Sequence, residues 1–76
     1  MDRREIEIYT DTITLGQFLK WAGVVQTGQE AKHLIQEGEV ILNGVPETRR
    51  GKKLQPGDVV GIDGREWIVV QGDQEV

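Results

Sequence analysis

Apolar residues along the chain change their period twice. Glu5-Ile6-Glu7-Ile8-Tyr9 alternates charged and apolar side chains, the period-two pattern of a half-buried strand. Leu15, Phe18, Leu19 and Ala22 then fall at i, i+3, i+4 and i+7, one face of a helix. Thr14 stands before that stripe with Gln17 three residues on, the spacing of a capping box, and Gly23 can close the helix in a left-handed cap. The same grammar repeats at once: Thr27 and Glu30 form a second box, Ala31, Leu34 and Ile35 make the buried stripe, and Gly38 ends it. The linker Val24-Val25-Gln26 is short, so the two helices are expected to pack as a helix-turn-helix-like pair.

From Glu39 the period returns to two. Val40-Ile41-Leu42 reads as a strand, Asn43-Gly44 as a tight hairpin turn, and Val45 as a return strand that Pro46 soon interrupts. Residues 47–57 are polar and basic and end in the turn signal Gln55-Pro56-Gly57-Asp58. Val59, Val60 and Ile62 form a strand, Asp63-Gly64 turns it, Trp67 to Val70 returns, and residues 72–76 are expected to fray. The element order expected is β-α-α-β-β-β. The fold class expected is α+β, two packed N-terminal helices against a small, mostly antiparallel sheet.

Composition narrows this picture. Seventy-six residues allow one domain with one modest core, taken to span residues 1–76. With no cysteine and one histidine, neither disulfides nor the usual metal clusters are expected, and no cofactor is implied. No apolar run approaches the ~20 residues of a membrane span, and the start lacks the hydrophobic stretch of a signal peptide. A cytoplasmic location is the simplest expectation.

The net charge of -4 at first argues against a nucleic-acid partner. Its distribution argues otherwise. Residues 1–11 hold two basic and four acidic groups, and residues 61–76 hold one and four; the stretch between has six basic and five acidic. Four of those six are Arg49, Arg50, Lys52 and Lys53, set around Gly51. Arginine suits bidentate phosphate contacts and lysine supplies point charges, while Gly51 lets a partner approach the backbone. Taken by itself, such a cluster also suits a solvated loop that keeps the protein soluble.

A second candidate is the start of the second helix. Amides at Gly28, Gln29 and Glu30 carry the partial positive charge of a helix end, a natural phosphate seat, which the Glu30 carboxylate weakens. Lys32 flanks the apolar stripe, and Gln29, His33 and Gln36 face outward, as on any surface helix. His33 is a candidate nucleic-acid contact, although a lone exposed histidine usually has no such role. Trp21 and Trp67 have the chemistry to stack on a base, but packing is the expected task of both. No nucleophile-base pair, metal cluster or phosphate-cradling glycine loop is recognisable, so an enzyme is not expected.

The run from Thr27 to Gly44 carries an alanine and a basic residue in a helix (Ala31-Lys32), then Leu34-Ile35, two polar residues, Gly38, the strand around Val40 and Asn43-Gly44. With the closing Lys53-Leu54-Gln55-Pro56-Gly57-Asp58-Val59-Val60, it resembles the RNA-binding domain named after ribosomal small-subunit protein four, over roughly residues 12 to 62. Thr14 to Lys20 and Arg49 to Leu54 look like that superfamily's small, stand-alone, ribosome-associated bacterial branch. The resemblance implies two helices packed on a small sheet and a grip on structured RNA.

Larger members often start their first helix with Arg-Leu-Asp, where this chain has Thr14-Leu15-Gly16, and their second with Ser-Arg, where it has Thr27-Gly28. Two positions that often bear phosphate-binding arginines are thus uncharged, and the basic loop is left as the main cationic element. The expected function is non-catalytic binding of structured RNA, rRNA or a ribosomal subunit, by a monomer. Expected contacts are Arg49, Arg50, Lys52 and Lys53 on one side and Lys32, Gln29, Thr27, Gly28 and His33 on the other, with Lys20 peripheral. No membrane or small-molecule substrate is expected. The alternative is an acidic interaction module that docks a basic ribosomal protein.

Overall fold

The computed structural model describes residues 2–72 of the chain. Strand β1 (Asp2–Ile8) comes first, followed by the two-residue β2 (Ile13–Thr14), helix α1 (Leu15–Trp21) and helix α2 (Gly28–Gln36). Five strands follow: β3 (Ile41–Leu42), β4 (Val45–Pro46), β5 (Lys53–Leu54), β6 (Val59–Ile62) and β7 (Arg65–Gln71). One sheet has the order β1-β7-β6-β3-β4, and a second pairs β2 with β5.

This corrects the expected class. The helices are not N-terminal, because two strands precede them. The larger sheet is mixed, because β1 runs parallel to β7 in a seven-pair register from Asp2–Arg65 to Ile8–Gln71. The physical reason is that parallel neighbours need a long crossover, and here the crossover is nearly the whole chain. The fraying expected at residues 72–76 lies outside the described residues, except for Gly72, whose amide donates to the Ile8 carbonyl at 2.7 Å.

The local punctuation follows the pattern except at Thr27, where the expected box with Glu30 forms only one of its two bonds. Thr14 and Gln17 form a complete capping box. Gly23 and Gly38 both have φ of 76°, the left-handed conformation that stops a helix without a Cβ penalty. Asn43-Gly44 and Asp63-Gly64 all have positive φ, as the hairpin turns require.

The core forms where the helices meet the sheet. Leu15, Phe18 and Leu19 of α1 and Ala31 and Ile35 of α2 are fully buried, together with Val40, Leu54, Val60 and Val69. Asn43 clamps the β3-β4 turn to the Gln55–Asp58 turn. Its amide donates to the Val59 carbonyl, its Oδ1 accepts from the Val59 amide at 2.8 Å, and its Nδ2 donates to Asp58 at 3.1 Å. At the other end of the loop the Glu47 amide donates to the Val40 carbonyl at 3.0 Å, next to β3.

The two tryptophans part company. Trp67 is buried as expected, with the Arg65 guanidinium 5.5 Å from its ring centroid. Trp21, expected inside, is 57% exposed. It is the last residue of a seven-residue helix and reaches β1, an edge strand, where its indole N–H donates to the Glu7 carbonyl at 2.7 Å. An edge acceptor is satisfied and the ring stays in solvent.

Candidate nucleic-acid interface

The basic loop takes its position from its backbone. Ile13 and Thr14 pair with Leu54 and Lys53. The ladder then continues into α1, where the amides of Leu15 and Gly16 donate to the carbonyls of Lys52 at 2.8 Å and Arg50 at 3.1 Å. The first amides of a helix have no acceptor within it, so α1 uses two of them to hold the loop. Fully buried Leu54 anchors the far end, and Lys52 donates back to the Arg49 carbonyl at 3.2 Å to close the turn.

Gly16 has a steric role that charge counting missed. A Cβ there would stand 2.8 Å from Cγ of Arg50, closer than real Cβ atoms come. The missing side chain makes room for the Arg50 stem over the start of α1. Gly51 faces open space, with nothing within 4 Å of where its Cβ would lie.

The outcome is a notch of about 240 Å³ bounded by Gly16, Gln17 and Lys20 of α1, Gly28 at the start of α2, and Arg50-Gly51. Lys32 follows Gly28 by one helical turn and lies on the same flank of α2. Lys53 is exposed on β5, and Lys52 is half-buried beside it. Gln29 and His33 go elsewhere: with Thr27, Glu30, Val24 and Leu34 they line a separate groove on the opposite flank of α2. The ten expected contacts therefore do not share one surface.

Arg49 is held by a carboxylate of its own loop. Glu47 holds it through Nε at 3.0 Å, Nη2 at 3.3 Å and the Arg49 amide at 3.1 Å. Hydrogen bonding from the Arg49 side chain, then from its amide, lowers the Glu47 pKa below the ordinary carboxylate value, and the same contact raises that of Arg49. A carboxylate thus occupies the fork that a phosphate would take. The signal for this was present in the sequence, a glutamate two residues before the arginine. Among the described residues the ion pairs are Arg49–Glu47 and Arg3–Glu66. Arg50, Lys52, Lys53, Lys20 and Lys32 take part in neither, so their charges remain available.

The start of α2 is built for a different use. Thr27 accepts from the Glu30 amide at 3.1 Å, and Glu30 turns back to accept from the Gln26 amide at 3.0 Å rather than from Thr27. A Cβ on Gly28 would meet nothing within 4 Å, so this helix mouth is open to solvent beside the notch. Its partial positive charge adds to that of Arg50 and Lys20.

Among the described residues, no group of three His, Cys, Asp or Glu side chains is placed to hold a metal ion, and no helix is long and apolar enough to cross a membrane. The arrangement offers fixed cations and backbone amides around a shallow concavity, which suits an anionic polymer.

Comparison with known proteins establishes the family. The chain is 56% identical over 59 residues to the probable ribosome maturation protein RlbA of Bacillus subtilis (strain 168), which covers 78% of this chain and 83% of that protein. The crystal structure of the 30S ribosomal protein S4e from Thermoplasma acidophilum matches 86% of this chain with a TM-score of 0.65 at 23% identity, a likeness of fold alone. This chain spans 34% of that protein's length. A family model described as the S4 domain matches residues 6–70, and the chain belongs to the S4 domain family.

Proposed function

We propose that the protein is a non-catalytic, cytoplasmic, monomeric binder of structured RNA, and that the RNA is ribosomal and is bound during ribosome maturation. The observation that carries this reading is the notch. In a chain of net charge -4, Arg50, Lys20 and the mouth of α2 converge on one concavity, with Lys32 beside it. Likeness to a probable ribosome maturation protein of Bacillus supports the ribosomal setting.

In this proposal Arg50, Lys52 and Lys53 contact phosphates on one strand of an RNA helix. Lys32 and the amides of Gly28 and Gln29 contact those across the groove, and Lys20 lies between. Thr27 orders the helix mouth, His33 faces the separate groove on the far flank of α2, and Arg49 contributes only when Glu47 releases it. A double helix read in this way is recognised by shape and phosphate spacing more than by base sequence.

With about four to six phosphate contacts, binding weakens steeply with salt, each contact adding about -0.7 to -0.9 to the slope of log affinity against log salt. The test is a salt-titrated binding assay on a hairpin RNA, comparing wild type with Arg50→Glu/Lys52→Glu. The double variant is expected to bind far more weakly and to lose roughly two contacts' worth of slope. Equal affinities at low salt would remove the loop from the interface.

A further inference from the structure

The exposed ring of Trp21 borders a second groove, of about 530 Å³, that the phosphate notch does not use. Its other walls are Thr10, Thr12, Ile13, Gln17 and Lys20. Gln17 and Lys20 also line the notch, so the two concavities run into one another across α1. We propose that Trp21 is a stacking platform for one unpaired nucleotide of the bound RNA, an inference that rests on the reading of the chain as an RNA binder.

Three observations converge on this assignment. The ring is fixed rather than loose, because its N–H is bonded to the Glu7 carbonyl at 2.7 Å, and a pre-ordered ring loses little entropy on stacking. Its exposure of 57% is unusual for the largest aromatic side chain in so small a domain, and aromatic faces accept any base. The path from the notch is also cationic: a strand leaving Arg50 and Gly51 passes Lys20, the one charged side chain shared by both grooves, before it reaches the ring.

Charge further sets the length of the bound segment. Asp11 lies between the two threonines of the groove wall, and Glu7 lies on the edge strand that holds the indole. With these two acidic residues next to groove residues in the sequence, a run of further phosphates is disfavoured, so the platform suits a single nucleotide at a duplex end or bulge, not a long single strand.

The test compares two hairpin RNAs of the same stem, one blunt and one with a one-nucleotide overhang, against wild type, Trp21→Ala and Trp21→Phe. Wild type is expected to prefer the overhang by roughly five- to 100-fold, the range for stacking one base on an aromatic side chain. That ratio should persist as salt rises while both affinities fall, since stacking releases few counterions. Trp21→Ala should bind the blunt stem like wild type and lose the preference; Trp21→Phe, which keeps a ring, should retain most of it.

A wild type that binds both stems equally overturns the platform and leaves the duplex reading standing. A wild type that binds neither stem at low salt overturns both. If both variants lose the two stems in parallel, the ring is structural and the platform is wrong. Ribosome association that survives complete RNA digestion but is lost in Trp21→Ala assigns the groove to a protein and also overturns it.

Discussion

Thr14 and Thr27 cap their helices in the same way, each accepting the amide three residues on, at 3.3 and 3.1 Å. What lies beyond the caps differs. At α1 the next amides are taken up by the carbonyls of Lys52 and Arg50, and the helix mouth becomes a fastener for the basic loop. At α2 the mouth stays open, and its glutamate bends away to the Gln26 amide. One helix end is spent on holding the basic loop, and the other is left with its first amides free. The lesson is that a capping box marks where a helix starts but not whether its free amides are available, because that depends on which segment packs across the end.

Hydrogen exchange gives the largest separation of the two ends. In the free protein the amides of Leu15 and Gly16 should exchange on the order of 100-fold more slowly than those of Gly28 and Gln29. RNA should slow the second pair while leaving the first nearly unchanged. Equal protection in the free protein would mean that the fastener is not closed in solution.

Gly16→Ala tests the seat of Arg50. The added methyl displaces the arginine stem, while alanine in place of glycine favours the helix by roughly 0.5–1 kcal/mol. Affinity for hairpin RNA is therefore expected to drop several-fold, with denaturant stability within about 1 kcal/mol of wild type. A variant that binds RNA normally would detach Arg50's placement from function.

The smallest effect concerns Glu47. Its pKa is held below the ordinary value by hydrogen bonds from Arg49, so the folded state favours the ionised carboxylate. The stability this contact adds is present above the unfolded carboxylate pKa and is lost as pH falls through the lowered folded value. Glu47→Gln removes the competing charge at neutral pH, and RNA affinity should rise by about two- to fivefold, the scale of an exposed ion pair. Unchanged affinity would place Arg49 outside the interface.

Much of this comparison was legible in the chain. Threonine caps, glycine stops and the Asn43-Gly44 and Asp63-Gly64 turns are local chemistry, and each sits where the pattern puts it. What was hidden is long-range. The β1 alternation is plain, but nothing in it announces a parallel partner more than fifty residues away. Strand β5 is two residues inside a polar stretch and exists because Leu54 is drawn into the core beside Ile13. For the same reason the basic cluster could be seen but not its attachment to α1. Counting charges also could not show the Arg49–Glu47 pair, since an ion pair depends on where Glu47 folds.

Whether the loop and the open end of α2 bind RNA as one notch is decided by amide chemical shifts followed during titration with a stem-loop rRNA fragment. Saturable shifts are expected at Lys20, Gly28, Gln29, Arg50, Gly51 and Lys52, with little change at Ile68 and Val70 on β7. Shifts confined to the β1 and β7 strands, with the notch residues unmoved, would contradict a single notch.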